Sequence, residues 1–238
     1  MTTITENSTV GEVASSFPKS IPLFQQAGID FCCGGNKTLA DVCRDKGLSV
    51  ENLIAGVAQA QQPAENAANR DWSSATLSEL IDHILAKHHA YLRNEWPRLS
   101  SMLAKVSEAH GKNHGESLQP LGRFYSGLRR ELEEHMWKEE NILFPLIRQM
   151  EQASKQSGGV MPGMPVGGPI QMMEHEHESA GNALREMRKA TEDYRLPDDA
   201  CTTYKALFDG LKAMEADLHQ HIHLENNILF PRSLALGE

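Results

Sequence analysis

One eleven-residue pattern occurs twice in this chain, as HMWKEENILFP at 135–145 and as HIHLENNILFP at 221–231. In both copies a histidine precedes a glutamate by four positions, so the two side chains lie one turn apart on one face of a helix. That face is otherwise apolar, and burying an unpaired charge costs several kcal/mol. The repeat therefore restricts the chain to helical folds that bring these ionisable side chains together with suitable partners.

Four segments from Thr76 onward repeat apolar residues at spacings of three and four, and none alternates as a strand does. We therefore predict four long amphipathic helices and an all-α fold. The second apolar stripe is predicted to continue through Ile142 and Leu146. Every stripe contains a histidine and two also contain a glutamate; the six residues are His89, His135, Glu139, His177, His221 and Glu225.

The six ionisable residues of the stripes match the ligands of a metal centre. Four imidazoles and two carboxylates, without a thiolate, suit a carboxylate-bridged di-iron or dimanganese centre held by facing helices. Zinc is an alternative, because it also accepts imidazole and carboxylate ligands. A single H-x-x-x-E is usually a surface pair, and a lone histidine in an apolar stripe is usually a hydrogen-bonded core residue. Six such residues in phase within a repeat favour the metal.

Helical phase separates these six residues from neighbouring histidines. Two positions along a helix correspond to a rotation of roughly 200°, so we expect His175, His219 and His223 to face solvent. His88 and His89 are adjacent, and periodicity favours His89 without excluding His88.

The N-terminal part of the chain differs from the rest. Short apolar stretches separated by prolines and glycines predict a small helical domain over 1–60, with Ser49 as the N-cap of its last helix. Polar and small residues over 61–75 predict a linker, and 76–238 holds the four-helix bundle. Within the bundle, the glycine- and proline-rich segment 154–169 is predicted to be irregular and to act as a lid or a tether.

Cys32 and Cys33 are adjacent and are followed by two glycines. We expect a small, flexible and exposed thiol pair, whose disulfide would be strained and readily reduced. Redox or transfer chemistry, such as receiving or handing over iron or taking a nitrosyl group, suits such a pair; the alternative is that one thiol packs in a helical core. Cys43 and Cys201 are expected in the core.

Composition limits the classes of partner. The net charge of −9 opposes binding to nucleic acid or to an anionic membrane surface, both of which require clustered lysine and arginine. No apolar run approaches the roughly 18 residues of a membrane span, and the N-terminus lacks the pattern of a signal peptide. We expect a cytoplasmic protein, in which the four cysteines do not form a disulfide scaffold.

The lone histidine of the first stripe, the paired H-x-x-x-E motifs, the ENNILFP tail and the N-terminal stretch IDFCCGGNKTLADVC together resemble the repair-of-iron-centres (RIC) family. These are bacterial di-iron proteins, induced by nitric oxide and oxidative stress, in which a Cys-Cys-Gly-Gly domain precedes a hemerythrin-like domain. The resemblance favours His89 over His88, which stands where the family has tyrosine. It implies two iron ions per chain, each bound by two imidazoles and both bridged by carboxylates and an oxo or hydroxo group; the ligands are His89, His135, Glu139, His177, His221 and Glu225.

The same resemblance implies a function. A member of this family helps to restore iron-sulfur clusters damaged by oxidative and nitrosative stress, by donating iron, by binding nitric oxide, or both. The implied partners are damaged iron-sulfur proteins and nitric oxide, and a homodimer is compatible with the sequence. The ligand set has fewer histidines than that of the oxygen carriers, so reversible oxygen carriage is not implied.

Two other functions stay open. The first is an enzyme that reduces nitric oxide at the di-iron centre, for which Glu131 and Glu176 are candidate proton relays beside His135 and His177. The second is a gas-binding or sensing module, for which the chain offers no output domain. The sequence contains no Walker loop, dinucleotide fingerprint or Ser-His-Asp order.

Overall fold

The computed structural model describes residues 4–60, 72–157 and 166–236. In these ranges the chain forms helices joined by turns, and this confirms the all-α fold. One isolated β-bridge pairs Thr9 with Thr38. The α-helices are α1 (Val10–Ser16), α2 (Ile21–Gln26), α3 (Leu39–Lys46), α4 (Val50–Ala60), α5 (Leu77–His83), α6 (Ala90–Lys138), α7 (Phe144–Ser157), α8 (Gly167–Ala190), α9 (Thr202–Leu224) and α10 (Phe230–Ala235). A 3₁₀ turn (Pro18–Ser20) precedes α2, and three π-helical segments interrupt the long helices: π1 (Ile84–His89), π2 (Glu139–Leu143) and π3 (Glu225–Leu229).

Contacts divide the described residues into two compact units. The first unit comprises those within Met1–Ile81, Met150–Gly163 and His219–Glu238. The second comprises those within Asp82–Gln149 and Met164–Leu218, and it contains a segment of each predicted bundle helix.

The second unit begins with two antiparallel segments of α6. The chain reverses at His114, whose φ of −122° and ψ of 25° are not helical. Residues before His114 contact residues after it in antiparallel order: Ser100 Oγ lies 3.2 Å from Tyr125 Oη, and Arg93 binds Glu140. The segments before and after His114 are therefore the first and second helices of the bundle.

Helix α8 and the part of α9 in this unit complete a four-helix arrangement. Side-chain contacts connect the neighbouring segments: Ser179 with Glu131, Arg188 with Glu215, and His88 with Asp217. The four predicted amphipathic helices are thereby confirmed.

The three π segments lie at predicted metal ligands. π1 ends at His89, π2 begins at Glu139, and π3 begins at Glu225. A π turn adds one residue to a helical turn, and such insertions are frequent at functional sites. Spacing alone does not reveal them.

The π2 insertion changes which apolar residues are buried after Glu139. The predicted stripe through Ile142 and Leu146 is wrong, because Ile142 is 51% exposed and Leu146 is half-buried. Leu143 and Ile147 occupy the core instead, one position later in each case. The extra residue rotates the rest of the helix by roughly 100°, one residue's share of a 3.6-residue turn.

The N-terminal helices of the first unit pack around a small apolar core. Side-chain caps begin these helices: Thr9 and Glu12 form a reciprocal capping box at α1, and Thr38 accepts a hydrogen bond from Asp41 N at α3. The prediction for Ser49 is confirmed, because its Oγ accepts a hydrogen bond from Asn52 N at 3.1 Å. The core residues of α1–α4 and their loops are Val10, Val13, Ala14, Phe24, Ile29, Phe31, Leu39, Val42, Cys43, Leu53 and Val57.

Two predicted irregular segments lie partly outside the described residues. Of the 61–75 linker, the structure describes 72–75, which form a turn. The segment 154–169 is not irregular at its ends, since α7 continues to Ser157 and α8 begins at Gly167. Pro169 fits there because the first N–H groups of a helix have no intrahelical acceptor. The predicted lid or tether lies in 158–165, outside the described residues.

Candidate metal centre

The Glu139 carboxylate lies between two histidines of the second unit. Its Oε2 is 3.3 Å from His89 Nε2, and its Oε1 is 3.3 Å from His135 Nε2. His177 Nε2 lies 3.0 Å from His135 Nε2. At most 1% of each of these four residues is exposed. The structure thus brings together four of the six predicted ligands, with one carboxylate oxygen directed to each side.

An outer carboxylate fixes the orientation of His89. Its Nδ1 lies 2.7 Å from Glu140 Oε1, and Arg93 Nη2 donates to both Glu140 oxygens at 2.6 and 2.7 Å. Glu140 accepts hydrogen bonds from Arg93, and it accepts the imidazole Nδ1–H of His89 as well. In that tautomer the ring directs its Nε2 lone pair at Glu139.

A second outer carboxylate does the same for His135. Its Nδ1 lies 2.8 Å from Glu176 Oε2, and Lys138 pairs with the other oxygen of Glu176. The hydrogen bond from His135, helped by Lys138, lowers the pKa of Glu176 to about 2. Glu176 is therefore a carboxylate at neutral pH and accepts the Nδ1 proton, which leaves the His135 lone pair on Nε2.

This arrangement suits a cation. Two imidazole lone pairs that face carboxylate oxygens repel them, unless a positive ion lies between or the rings take up second protons. Three imidazole nitrogens and a carboxylate are ligands that first-row transition metals accept. A carboxylate with an imidazole on each side can also bridge two ions, so these residues fit a metal centre.

The remaining predicted ligands form a pair in the first unit. His221 Nε2 lies 3.0 Å from Glu225 Oε1, one turn further along the helix. Both side chains are fully buried. The histidine and glutamate of the second H-x-x-x-E copy are therefore neighbours, as His135 and Glu139 are in the first copy.

The histidines expected in solvent have three different environments. His175 is exposed, as predicted, and His219 is half-buried beside Phe31. His223 contradicts the prediction, since only 2% of it is exposed. Its ring packs edge-on against Phe31 with centroids 5.7 Å apart, and Asn227 Nδ2 donates to its Nδ1 at 2.9 Å. Burial lowers the pKa of His223 to about 4.

His88 and His89 are both fully buried. The π1 segment contains both residues, and its wider turn lets adjacent side chains point inward. His88 Nδ1 lies 3.0 Å from Asp217 Oδ1, whereas His89 Nε2 faces Glu139. His89 therefore lies beside Glu139 and His88 does not, and the assignment of His89 as the ligand stays a prediction.

The two candidate proton relays line one cavity of about 250 Å³ in the second unit, together with His135. Glu131 accepts a hydrogen bond from Ser179 Oγ at 3.1 Å, and Glu176 is the residue that orients His135. Both carboxylates therefore line the same cavity as a predicted ligand.

The adjacent cysteines surround an aspartate. Asp30 Oδ1 accepts hydrogen bonds from Cys32 N at 3.1 Å, Cys33 N at 3.0 Å and Cys32 Sγ at 3.3 Å. Cys32 is buried and Cys33 is half-buried, so the expectation of an exposed pair is wrong. The Cys33 thiol, burial and Asp30 raise the pKa of Cys32 well above its usual value, so Cys32 is a protonated thiol at neutral pH.

The other two cysteines differ in burial. Cys43 lies in the N-terminal core, as predicted. Cys201 is exposed, which contradicts the prediction. It occupies the position just before α9, where the chain enters the helix from a surface loop.

The outer partners Glu140, Arg93 and Asp217 were not predicted. Glu140 directly follows the predicted ligand Glu139, and the second copy of the repeat has Asn226 at that position. This difference between otherwise matching copies was the available signal. Arg93 and Asp217 carry no such signal, because they approach from other helices.

No helix among the described residues is both long enough and apolar enough to cross a membrane.

Comparison with known proteins identifies both parts of the chain. Residues 80–233 match the Hemerythrin HHE cation binding domain, and residues 6–61 match a Domain of Unknown function (DUF542). Relatives named iron-sulfur cluster repair protein YtfE from Citrobacter koseri and Escherichia coli O157:H7 are 41% identical over 95% of this chain and 96% of their own length. A YtfE protein from Shigella boydii is 40% identical over the same shares. The resemblance drawn from the motifs is confirmed: this chain belongs to the family of hemerythrin-like iron-sulfur cluster repair proteins that includes YtfE.

Proposed function

We propose that this protein takes part in the repair of damaged iron-sulfur clusters and that it does so with two bound iron ions. The names of its relatives support the repair function. The two-sided Glu139 carboxylate, with an imidazole Nε2 3.3 Å from each oxygen, supports a pair of ions. The proposed ligands are His89, His135, Glu139, His177, His221 and Glu225, with the two glutamates as bridges.

The outer residues of this proposal prepare the ligands. Glu140 and Glu176 accept hydrogen bonds from the Nδ1–H groups of His89 and His135. Both rings can therefore bind a metal through Nε2 without first losing a proton. Complete burial of Glu139 keeps bulk water away from the bridging carboxylate. Bound iron would supply redox chemistry, a coordination position for nitric oxide and a store that the protein can give up. The oxo or hydroxo bridge stays a prediction.

The ligand assignment is tested by iron content and Mössbauer spectroscopy of protein purified without oxygen. We expect two coupled irons per chain, and loss of the coupled pair in Glu139→Gln. Glu133→Gln is a matched control on the same helix, since Glu133 is an exposed partner of Arg129. A coupled pair that survives in Glu139→Gln would overturn the bridging role.

The repair function needs a separate measurement. Iron-loaded protein is added to an iron-sulfur enzyme whose cluster nitric oxide has damaged, and recovery of that enzyme's activity is followed. We expect recovery with the parent and with Glu133→Gln, and none with Glu139→Gln. Equal recovery with all three would contradict repair through this centre.

Nitric oxide reduction is not favoured, because the relatives are named for cluster repair. Formation of nitrous oxide by the reduced protein in a single turnover would reverse that ranking. Proton transfer by Glu131 and Glu176, and a redox or transfer role for Cys32 and Cys33, stay proposals. So do nitric oxide binding, a cytoplasmic location and a homodimer.

We retain the predicted domain boundaries as a proposal. They predict that a fragment of residues 72–238 binds iron without the N-terminal domain. A fragment that folds but holds no iron would show that the two domains are not independent.

A further inference from the structure

A second cluster of metal-binding side chains lies at the end of the second unit where α6 reverses. His110 lies four residues before His114, at which α6 reverses, and Asp199 belongs to the loop between α8 and α9. The ligand atoms of these three residues all lie within 4.8 Å of one another. His114 Nε2 is 2.7 Å from Asp199 Oδ1. Helix and loop therefore direct two imidazoles and one carboxylate to one point.

A thiol lies beside this cluster. Cys201 occupies the position just before α9. The nearby Tyr204 N–H, the His110 ring and the Thr203 N–H lower the pKa of the Cys201 thiol, with the Tyr204 N–H contributing most. Cysteines at helix N-termini and next to histidine favour the thiolate, which is the form that binds metals.

We propose that His110, His114, Asp199 and Cys201 bind one zinc ion. Zinc takes nitrogen, sulfur and oxygen ligands in a tetrahedron, at about 2.0–2.3 Å. Ligand atoms in such a tetrahedron are roughly 3.3–3.8 Å apart, so His114 and Asp199 must separate by about 1 Å. The Cys201 Sγ is not one of the atoms that lie within 4.8 Å of one another, so the thiol must move towards the other three ligands when zinc binds. None of these residues belongs to the proposed iron ligands, and the thiolate distinguishes the donor set from theirs.

The surroundings of the cluster support binding. The Tyr204 ring packs against both imidazoles, with centroids 5.3 Å from His110 and 6.2 Å from His114. This contact limits the rotation of both rings. An open cleft of about 600 Å³, lined by His114, Asp199 and Tyr204 among others, gives an ion access from solvent. Four protein ligands leave no coordination position open, as in structural zinc sites, so the ion would tie the reversal of α6 to the start of α9.

The first test measures zinc binding to the full-length, iron-loaded protein, with zinc sulfate as the probe. We expect one zinc per chain with the iron content unchanged. Asp199→Asn and His110→Gln should weaken zinc binding by more than about 100-fold, the upper end of the cost of losing an outer-shell partner. Asp198→Asn is the matched control, an exposed aspartate at the adjacent position, and should bind zinc as the parent does. Equal affinity in all variants, or zinc that enters only as iron leaves, would overturn the proposal.

The second test identifies the thiolate ligand. Cobalt(II) in place of zinc should produce sulfur-to-metal charge-transfer absorption, which Cys201→Ser should abolish. Zinc should also slow alkylation of Cys201, followed by mass spectrometry of the peptide that contains it. Absence of the absorption in the parent, or alkylation that zinc does not slow, would overturn the four-ligand site.

Discussion

The two copies of the repeat share their ligand pattern but differ in their outward-facing residues. Trp137 in the first copy is 58% exposed, whereas His223 at the same position of the second is 2% exposed. Ile142 and Ile228 differ in the same way, at 51% and 5%. The His and Glu positions are buried in both copies. The repeat itself thus determines the burial of the predicted ligands. Whether the other side chains are buried depends on which segments pack over them.

The N-terminal segment covers the second copy within the first unit. Asn227 Nδ2 donates to the Phe31 carbonyl at 3.1 Å, and the Phe31 ring packs on His223. A Cβ added to Gly11 or Gly35 would lie 2.4 or 2.7 Å from Asn227 Oδ1, so a side chain at either position would displace the Asn227 amide. A sequence change far from the repeat can therefore act on the helix that carries His221 and Glu225.

The equivalent asparagine of the first copy makes only a local bond. Asn141 Nδ2 donates to the Trp137 carbonyl at 2.7 Å, within its own helix. The asparagine of the second copy thus bonds to a distant segment of the chain, whereas that of the first copy bonds only to the preceding turn of its own helix.

Removing either glutamate tests whether the ligand positions of the two copies are equivalent. Glu139→Leu and Glu225→Leu should each lose both irons, because a bridging carboxylate holds both ions and its loss also removes a ligand from each. Metal analysis with visible absorption measures the effect, and Glu133→Leu on the exposed face is the control. Two irons retained in either variant would contradict its bridging role, and loss in one variant alone would break the equivalence of the copies.

The sequence predicted those features that depend on helical periodicity. The all-α fold, the four bundle helices, the Ser49 cap and the burial of the six stripe residues followed from spacing and capping chemistry. Spacing assumes a regular helix, however, and the π segments alter the phase, which explains the errors at Ile142 and Leu146 and the burial of both His88 and His89.

Other errors arose because a single helix does not specify its neighbours. His223 was assigned to solvent by phase, but Phe31 arrives from another part of the first unit and buries it. Cys201 was assigned to the core by residue type, although it stands at the exposed start of α9. Glu140 and Arg93 act through contacts between helices, which a periodic pattern does not encode.

The buried His223 of the second copy should make the free energy of unfolding sensitive to acid. His223 has a folded pKa of about 4 against an ordinary value of 6.5, because burial disfavours the charged ring. The unfolded chain therefore binds a proton first as pH falls. The contribution of His223 to stability is complete above about pH 6.5 and is lost towards pH 4, by up to about 3 kcal/mol. Urea unfolding of iron-free parent and His223→Gln measures it, and a constant difference between the two over this range would contradict the assignment.

Removing the asparagine side chain from each copy should change the free energy of unfolding by different, smaller amounts than the acid effect of His223. Asn227→Ala removes the hydrogen bonds to the Phe31 carbonyl and to the buried His223 ring, and should lower the free energy of unfolding by about 1–3 kcal/mol. Asn141→Ala removes a bond on an exposed face and should change it by less than about 0.5 kcal/mol. Urea unfolding of the two variants compares them directly, and equal effects would mean that the N-terminal contact contributes nothing.

At the most divergent position of the repeat, the smallest effect is expected from changing the exposed residue of the first copy. Trp137→His puts the residue of the second copy on the exposed face of the first, where we expect a change of less than about 0.5 kcal/mol in the free energy of unfolding. The new histidine is solvated, so it should add no acid-dependent loss between pH 6.5 and 4. The reverse change, His223→Trp, forces a larger ring against Phe31 and should cost about 1–3 kcal/mol. Urea unfolding at both pH values measures all of these effects. If Trp137→His were as costly as His223→Trp, the first copy would be covered in solution as the second is, and the contrast between the copies would not hold.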